Sequence, residues 1–187
     1  GITLGNSLRR VLLSSMPGVA IVAIAIEGVE HEFMAIPGVV EDVTNIILNL
    51  KEVVLSIDED ELFQSSKENQ DPLYRLEVIK EGPGVITAGD ITLDGNVKVV
   101  NPEKVIATLE KNGKFKAEFF ARRGIGYVSA EENKTFCKDK QGNKYVGRIP
   151  IDAIYTPIRR VKYNVEKTRV NENIDFDLLT LEIWTNG

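Results

Sequence analysis

His31, the single histidine, lies between Glu30 and Glu32, a grouping of the kind that raises an imidazole pKa or completes a metal site. In an extended strand the two carboxylates fall on the face opposite His31, so a structural or surface histidine is the plainer reading. No Gly-x-Ser-x-Gly elbow accompanies it, which argues against a Ser-His-Asp nucleophile. Cys137, the only cysteine, sits between Thr135-Phe136 and Lys138, where lysines could lower a thiol pKa. It lacks a base partner and reads as incidental. Gly82-Pro83-Gly84 and Gly124-Ile125-Gly126 do not complete a phosphate-binding G-x-G-x-x-G, and tight turns account for them. The run Asp58-Glu59-Asp60-Glu61 lacks the spacing and central glycine of a Ca²⁺ loop and reads as a solvated acidic loop. Asn133-Lys134-Thr135 is a glycosylation pattern that arises often by chance. No catalytic constellation, cofactor or metal site is expected.

The elements that carry these residues are those of an ordinary globular protein. The 187 residues hold 23 Lys+Arg against 28 Asp+Glu, a net charge of −5, which disfavours a surface that grips nucleic acid throughout. The longest apolar run, Val19 to Ile26, is far short of the roughly 20 residues needed to cross a bilayer. With one cysteine and no recognisable signal peptide, a reducing cytoplasmic compartment is expected. Charge is uneven. From Gly1 to Pro17 only Arg9 and Arg10 are charged, Glu27 to Glu61 is strongly acidic, and Arg159 to Arg169 is basic again.

Two helices are expected. In Thr3 to Ser15 the residues Leu4, Leu8, Val11, Leu12 and Ser15 recur on one face, with Pro17-Gly18 as the stop. Arg9, Arg10, Leu13 and Ser14 lie on the other side, either solvated or meeting a partner of their own. The spacing also predicts a helix over Val39 to Leu50. Strands are expected at Val19 to Ile26, Glu30 to Ala35, Glu52 to Ile57, Tyr74 to Lys80, Val85 to Ile91, Asn96 to Val100, Val105 to Glu110 and Lys114 to Ala121. Asn112-Gly113 signals a hairpin between the last two, and Asp94-Gly95 a further turn. In Arg160 to Glu166, Val161, Tyr163 and Val165 alternate with polar residues, and Leu178 to Thr185 is the last strand. Asp58 to Pro72 and Ala130 to Asn143 read as loops. The fold class is α+β, mostly antiparallel sheet with a few helices.

The opening Gly1-Ile-Thr-Leu-Gly-Asn-Ser-Leu-Arg-Arg-Val-Leu-Leu-Ser-Ser-Met-Pro-Gly18 resembles the T-L-G-N-x-L-R-R-x-L-L-S-S-x-P-G segment of the bacterial RNA polymerase α-subunit family. Further similarities follow in order: Glu27-Gly28-Val29 with His31-Glu32-Phe33, Asn45 to Lys51, Val85 to Gly95, Arg123 to Val128, Asp152 to Val170 and Asp175 to Gly187. The full string points to the bacterial form over archaeal or eukaryotic relatives.

That resemblance implies a non-catalytic scaffold in a nucleotidyltransferase, DNA-directed RNA polymerase. It implies a dimerisation subdomain from residues 1–17 and 157–187 and a mostly β insert subdomain from residues 18–156. The first helix would meet its counterpart in a homodimer through Leu4, Leu8, Val11, Leu12 and Ser15. Arg10 and Leu13 match positions facing one large subunit (beta or beta-prime), and Lys51, Ile151 and Ile158 match positions where the second copy meets the other. Relative to the family, about a strand and a half before the first helix and a helix beyond Gly187 would be missing, and the separate DNA-binding domain with them, so no direct DNA contact and no membrane contact is expected. The acidic loop Asp58 to Asp71 looks longer than the family's hairpin and has no assigned role. The rival is a β-rich small-molecule-binding protein or enzyme with a site near His31 or Asp152.

Overall fold

A computed structural model describes residues 2–63, 71–169 and 175–186. Helix α1 (Ile2–Ser15) leads into β1 (Pro17–Ile26), followed by α2 (Val43–Lys51), β2 (Leu55–Ser56), α3 (Glu59–Leu62), β3 (Tyr74–Glu81) and β4 (Gly84–Thr87). Then come β5 (Lys98–Val99), β6 (Val105–Leu109), β7 (Lys114–Ile125), β8 (Tyr127–Val128), α4 (Ala130–Asn133), β9 (Arg148–Pro150) and β10 (Ala153–Ile154). The long strands β11 (Ile158–Arg169) and β12 (Asp175–Thr185) close the chain. The fold is α+β and its strand pairs are antiparallel.

The main sheet runs β3-β7-β1-β2-β5, with β9 also paired to β1. Strand β1 is buried on both faces because its run from Val19 to Ile26 is apolar throughout. Val19, Ile21, Ile24 and Ile26 face the larger core with α2, while Val22 and Ala23 join Phe120, Cys137, Ala153 and Tyr155 behind the sheet. A register shift between Ile21 and Ala23 lets two successive residues share that rear face. The larger core is closed by Val43, Ile46, Ile47 and Leu50 of α2 and by Phe115 and Phe119 of β7.

Several local expectations change in three dimensions. The second helix begins at Val43, since Asp42 caps it by accepting from the Asn45 N–H at 2.8 Å. Val39 instead bridges to Leu109, and Glu41 accepts from the Thr108 N–H. Glu30 to Ala35 is a series of turns, because the chain reverses at Gly28 (φ +83°) and Val29 donates back to Ile26. Two strand expectations shrink to two-residue pieces, β2 and β5. Val85 to Ile91 divides into β4 and a 3-10 turn at Ala88–Asp90, held by a capping box between Thr87 and Asp90. The loop expected at Asp58 to Pro72 contains α3, and its residues 64–70 lie outside the described ones. Ala130 to Asn143 holds α4 and a 3-10 turn at Lys134–Cys137.

The turn lies one residue earlier than Asn112-Gly113 predicts: it runs from Glu110 to Gly113, with the Gly113 N–H donating to Glu110 and Asn112 alone at positive φ (+66°). It does not join a hairpin: β6 pairs with β4, whereas β7 pairs with β1 and β3. Gly38 packs backbone to backbone against Gly113, and Gly82 donates to the Gly113 carbonyl, so the turn hands the chain from one sheet to another.

The chain's two ends meet. Strands β11 and β12 pair from Ile158↔Thr185 to Arg169↔Asp175, and α1 lies on this hairpin. The expected alternation holds there, with Val161 buried, Tyr163 and Val165 half-buried, and Arg160, Lys162, Asn164 and Glu166 exposed.

Candidate assembly surfaces

Helix α1 is seated by its smallest residue. Gly5 is buried, and a Cβ there would lie 2.6 Å from the Tyr163 ring, so the helix axis approaches the hairpin along the Gly5 line. Glycine costs a helix interior about 1 kcal/mol relative to alanine, and that cost was the sequence's one sign of this close approach. Leu8, Leu12 and Leu13 flank Gly5 and are half-buried. Beyond them Leu4 is 57% and Val11 54% exposed, with Ser15 also exposed. Arg9 and Arg10 are exposed. The five-residue stripe therefore divides into an inner half against β11 and an outer half, Leu4, Val11 and Ser15, left open.

The second group gathers residues a hundred positions apart. Lys51, the last residue of α2, places its Nζ 3.2 Å from Asp152 Oδ2. Asp152 Oδ1 accepts from the Ala130 N–H at 2.7 Å, and the Tyr127 hydroxyl lies close enough to favour the ionised carboxylate. Ile151 and Ile158 are buried within the chain, so neither presents a side chain outward. Ile151 donates its N–H to Val22, accepts from Asn133, and so fixes the backbone under Asp152.

Beside this pair β1 and β7 cross beneath Tyr155. Gly18 and Gly124 are direct partners across the two strands. A Cβ on Gly18 would stand 1.7 Å from the Tyr155 carbonyl oxygen, and one on Gly124 would stand 2.6 Å from the Tyr155 ring. Tyr155 itself is buried, which pushes its phenol up to about 12.

The Ala130 N–H, above all, and then Lys51 hold the Asp152 carboxyl below its ordinary range, against the opposing pull of desolvation. A carboxyl depressed by folding contributes stability that is complete above its unfolded pKa near 4 and is lost as pH falls through the lower folded value. Asp152→Asn is therefore expected to leave the acid limb of an unfolding-versus-pH profile shallower below about pH 4. An unchanged acid limb would show that the carboxylate is not held in this way.

The other chemically suggestive residues have structural partners. His31 is exposed in a turn, where its Nδ1 accepts from the Phe33 N–H at 3.2 Å, and Glu30 and Glu32 are exposed beside it. Burial raises the Cys137 thiol pKa, opposite to the lowering that nearby lysines suggested, because the side chain points into the rear core. Glu61 bonds to Tyr74 and Asn96, and Arg123 donates to the Glu61 and Leu62 carbonyls, pinning the acidic segment to the sheet. Among the described residues no cluster of three or more His, Cys, Asp or Glu could hold a metal ion, and no helix is long and apolar enough to cross a membrane.

Residues 22–156 match the RNA polymerase Rpb3/RpoA insert domain. Over all 187 residues the chain is 52% identical to the DNA-directed RNA polymerase subunit alpha of Desulforamulus reducens, covering 54% of that protein. It is 50% identical to the subunits of that name from Symbiobacterium thermophilum and Moorella thermoacetica, again over its whole length and 54% of theirs. The chain thus spans about half the length of the curated relatives it matches. With the insert-domain match covering most of its length and half of its residues identical from end to end, the chain belongs to the bacterial DNA-directed RNA polymerase α-subunit family.

Proposed function

We propose that this chain is the non-catalytic assembly scaffold of DNA-directed RNA polymerase, dimerising and then gathering the two large catalytic subunits, beta and beta-prime, for transcription in the bacterial cytoplasm. The observation that carries this reading is α1: a helix anchored along Gly5 whose outer edge, Leu4 and Val11, is apolar and open. A second copy packed on that edge, with Leu8, Leu12 and Ser15 at its border, removes apolar surface from water at about 25 cal/mol per Å². Residues 1–17 and 157–187 form the dimerisation subdomain in this reading, supported by the packing of α1 on the β11–β12 hairpin. Residues 18–156 form the insert.

Arg10 faces one large subunit, and Leu13, half-buried beside Gly5 where the sequence placed it on the open side, borders that face from the hairpin. Lys51 faces the other on the second copy, with Ile151 and Ile158 acting from beneath by fixing the backbone around Asp152 and at the start of β11. The net charge of −5 supports a role without direct DNA contact for these residues.

Arg10 is exposed, so Arg10→Ala should leave fold and dimer intact. Truncating an interface arginine removes charge-assisted hydrogen bonds worth about 2 kcal/mol or more, so one large subunit should bind at least tenfold more weakly. Affinity purification of the tagged full-length subunit from its own cells, with mass spectrometry of the partners, measures this. Normal assembly by the variant, or its misfolding, would overturn the reading of that face.

A further inference from the structure

Between the two proposed surfaces lies a cavity of about 130 Å³, walled by apolar residues that include Val19, Leu50, Leu55 and Tyr155. Lys51, Asp152 and Arg159 stand at its lining. Two of these can accept a new anion without leaving a group stranded. Asp152 keeps the Ala130 N–H at 2.7 Å if Lys51 turns away, and Lys51 is attached to it by one contact at 3.2 Å. Arg159 is exposed and makes no hydrogen bond among the described residues. Glu52, a carboxylate whose ionisation Arg159 favours, is already bonded to Lys104.

From this arrangement we infer that the cavity receives an acidic side chain of one large subunit, its carboxylate held between Lys51 and Arg159 and its methylenes against the apolar wall. Charge complementarity selects this occupant: an apolar residue would cover Arg159 without a partner, and a basic one would add to the positive charge that Lys51 and Arg159 bring against Asp152 alone. Asp152 is a positioning residue, holding Lys51 at the rim until the carboxylate takes it over. The inference rests on the scaffold reading and names the chemistry of one of its partners.

The test uses the full-length subunit. Arg159→Glu and Lys51→Glu should each lower recovery of one large subunit at least tenfold, while the dimer and the Arg10-dependent subunit persist. Arg159→Lys should restore recovery to within about threefold of wild type, because the charge is kept. A photo-cross-linking residue at Val100, which also lines the cavity, should attach to a peptide of that subunit containing Asp or Glu. Reversing that acidic residue to Arg should rescue Arg159→Glu. Wild-type recovery by both charge reversals, or a cross-linked peptide without a carboxylate, would overturn the inference and leave the scaffold reading standing. Absence of both large subunits from the wild-type purification would instead sink the scaffold reading.

Discussion

Val11→Asp is expected to leave each chain folded and convert the full-length subunit from dimer to monomer. In the single chain Val11 is 54% exposed, so an aspartate there stays solvated and the unfolding free energy should move by no more than about 0.5 kcal/mol. In a two-fold dimer the same change occurs in both copies. About half of Val11 remains to be buried, so losing that burial costs about 1 kcal/mol in each copy and roughly 2 kcal/mol in the pair, a weakening of about 30-fold to which desolvating the two aspartates adds. Analytical ultracentrifugation across a concentration series reads the shift, with thermal unfolding as the check on fold. Leu8→Asp is less informative because Leu8 is half-buried beside the hairpin, so dimer and subdomain would suffer together. A Val11→Asp subunit that stays dimeric throughout would refute the proposed facing of α1.

The second large effect concerns Gly18. Its added Cβ would lie 1.7 Å from a backbone oxygen, that of Tyr155, which has no rotamer by which to retreat. Overpacking a close contact costs about 1–3 kcal/mol and more where backbone must move. Gly18→Ala should therefore remove about 3 kcal/mol or more, lowering Tm by roughly 6–12 °C in a chain of this size. Gly124→Ala should cost less, since the atoms it meets belong to the Tyr155 ring, which can tilt. Equal and small effects from both changes would show that the strand crossing is looser than its geometry indicates.

Much of this molecule was legible where the determining contacts are local. The spacing of Leu4, Leu8, Val11 and Leu12 defines α1, and the alternation from Arg160 to Glu166 defines the inward face of β11. Asn112-Gly113 shows the limit of such reasoning. Asn112 at positive φ helps to set a turn, but the chain on either side of it pairs in different sheets, and Gly113 packs against Gly38, seventy-odd positions away. Glu30 to Ala35 has strand-like residues yet no strand to pair with after the reversal at Gly28. Of the candidate surfaces, the helix residues could be read from periodicity. The Lys51–Asp152 pair and the Gly18–Gly124–Tyr155 crossing could not, because each joins segments separated by about a hundred residues or more.

The same long-range pairing sets a timetable for synthesis. β1, the most apolar stretch of the chain, finds its principal partner in β7, with Pro17 opposite Ile125. A ribosome adding 5–20 residues per second leaves β1 without that partner for roughly 5–20 s. Helix α1 waits longer still, since Tyr163 on β11 follows later in the chain. The nascent chain therefore carries an apolar strand without its main partner while about a hundred further residues are added, and holding that strand clear of its neighbours on a polysome is a task for chaperones before any assembly begins.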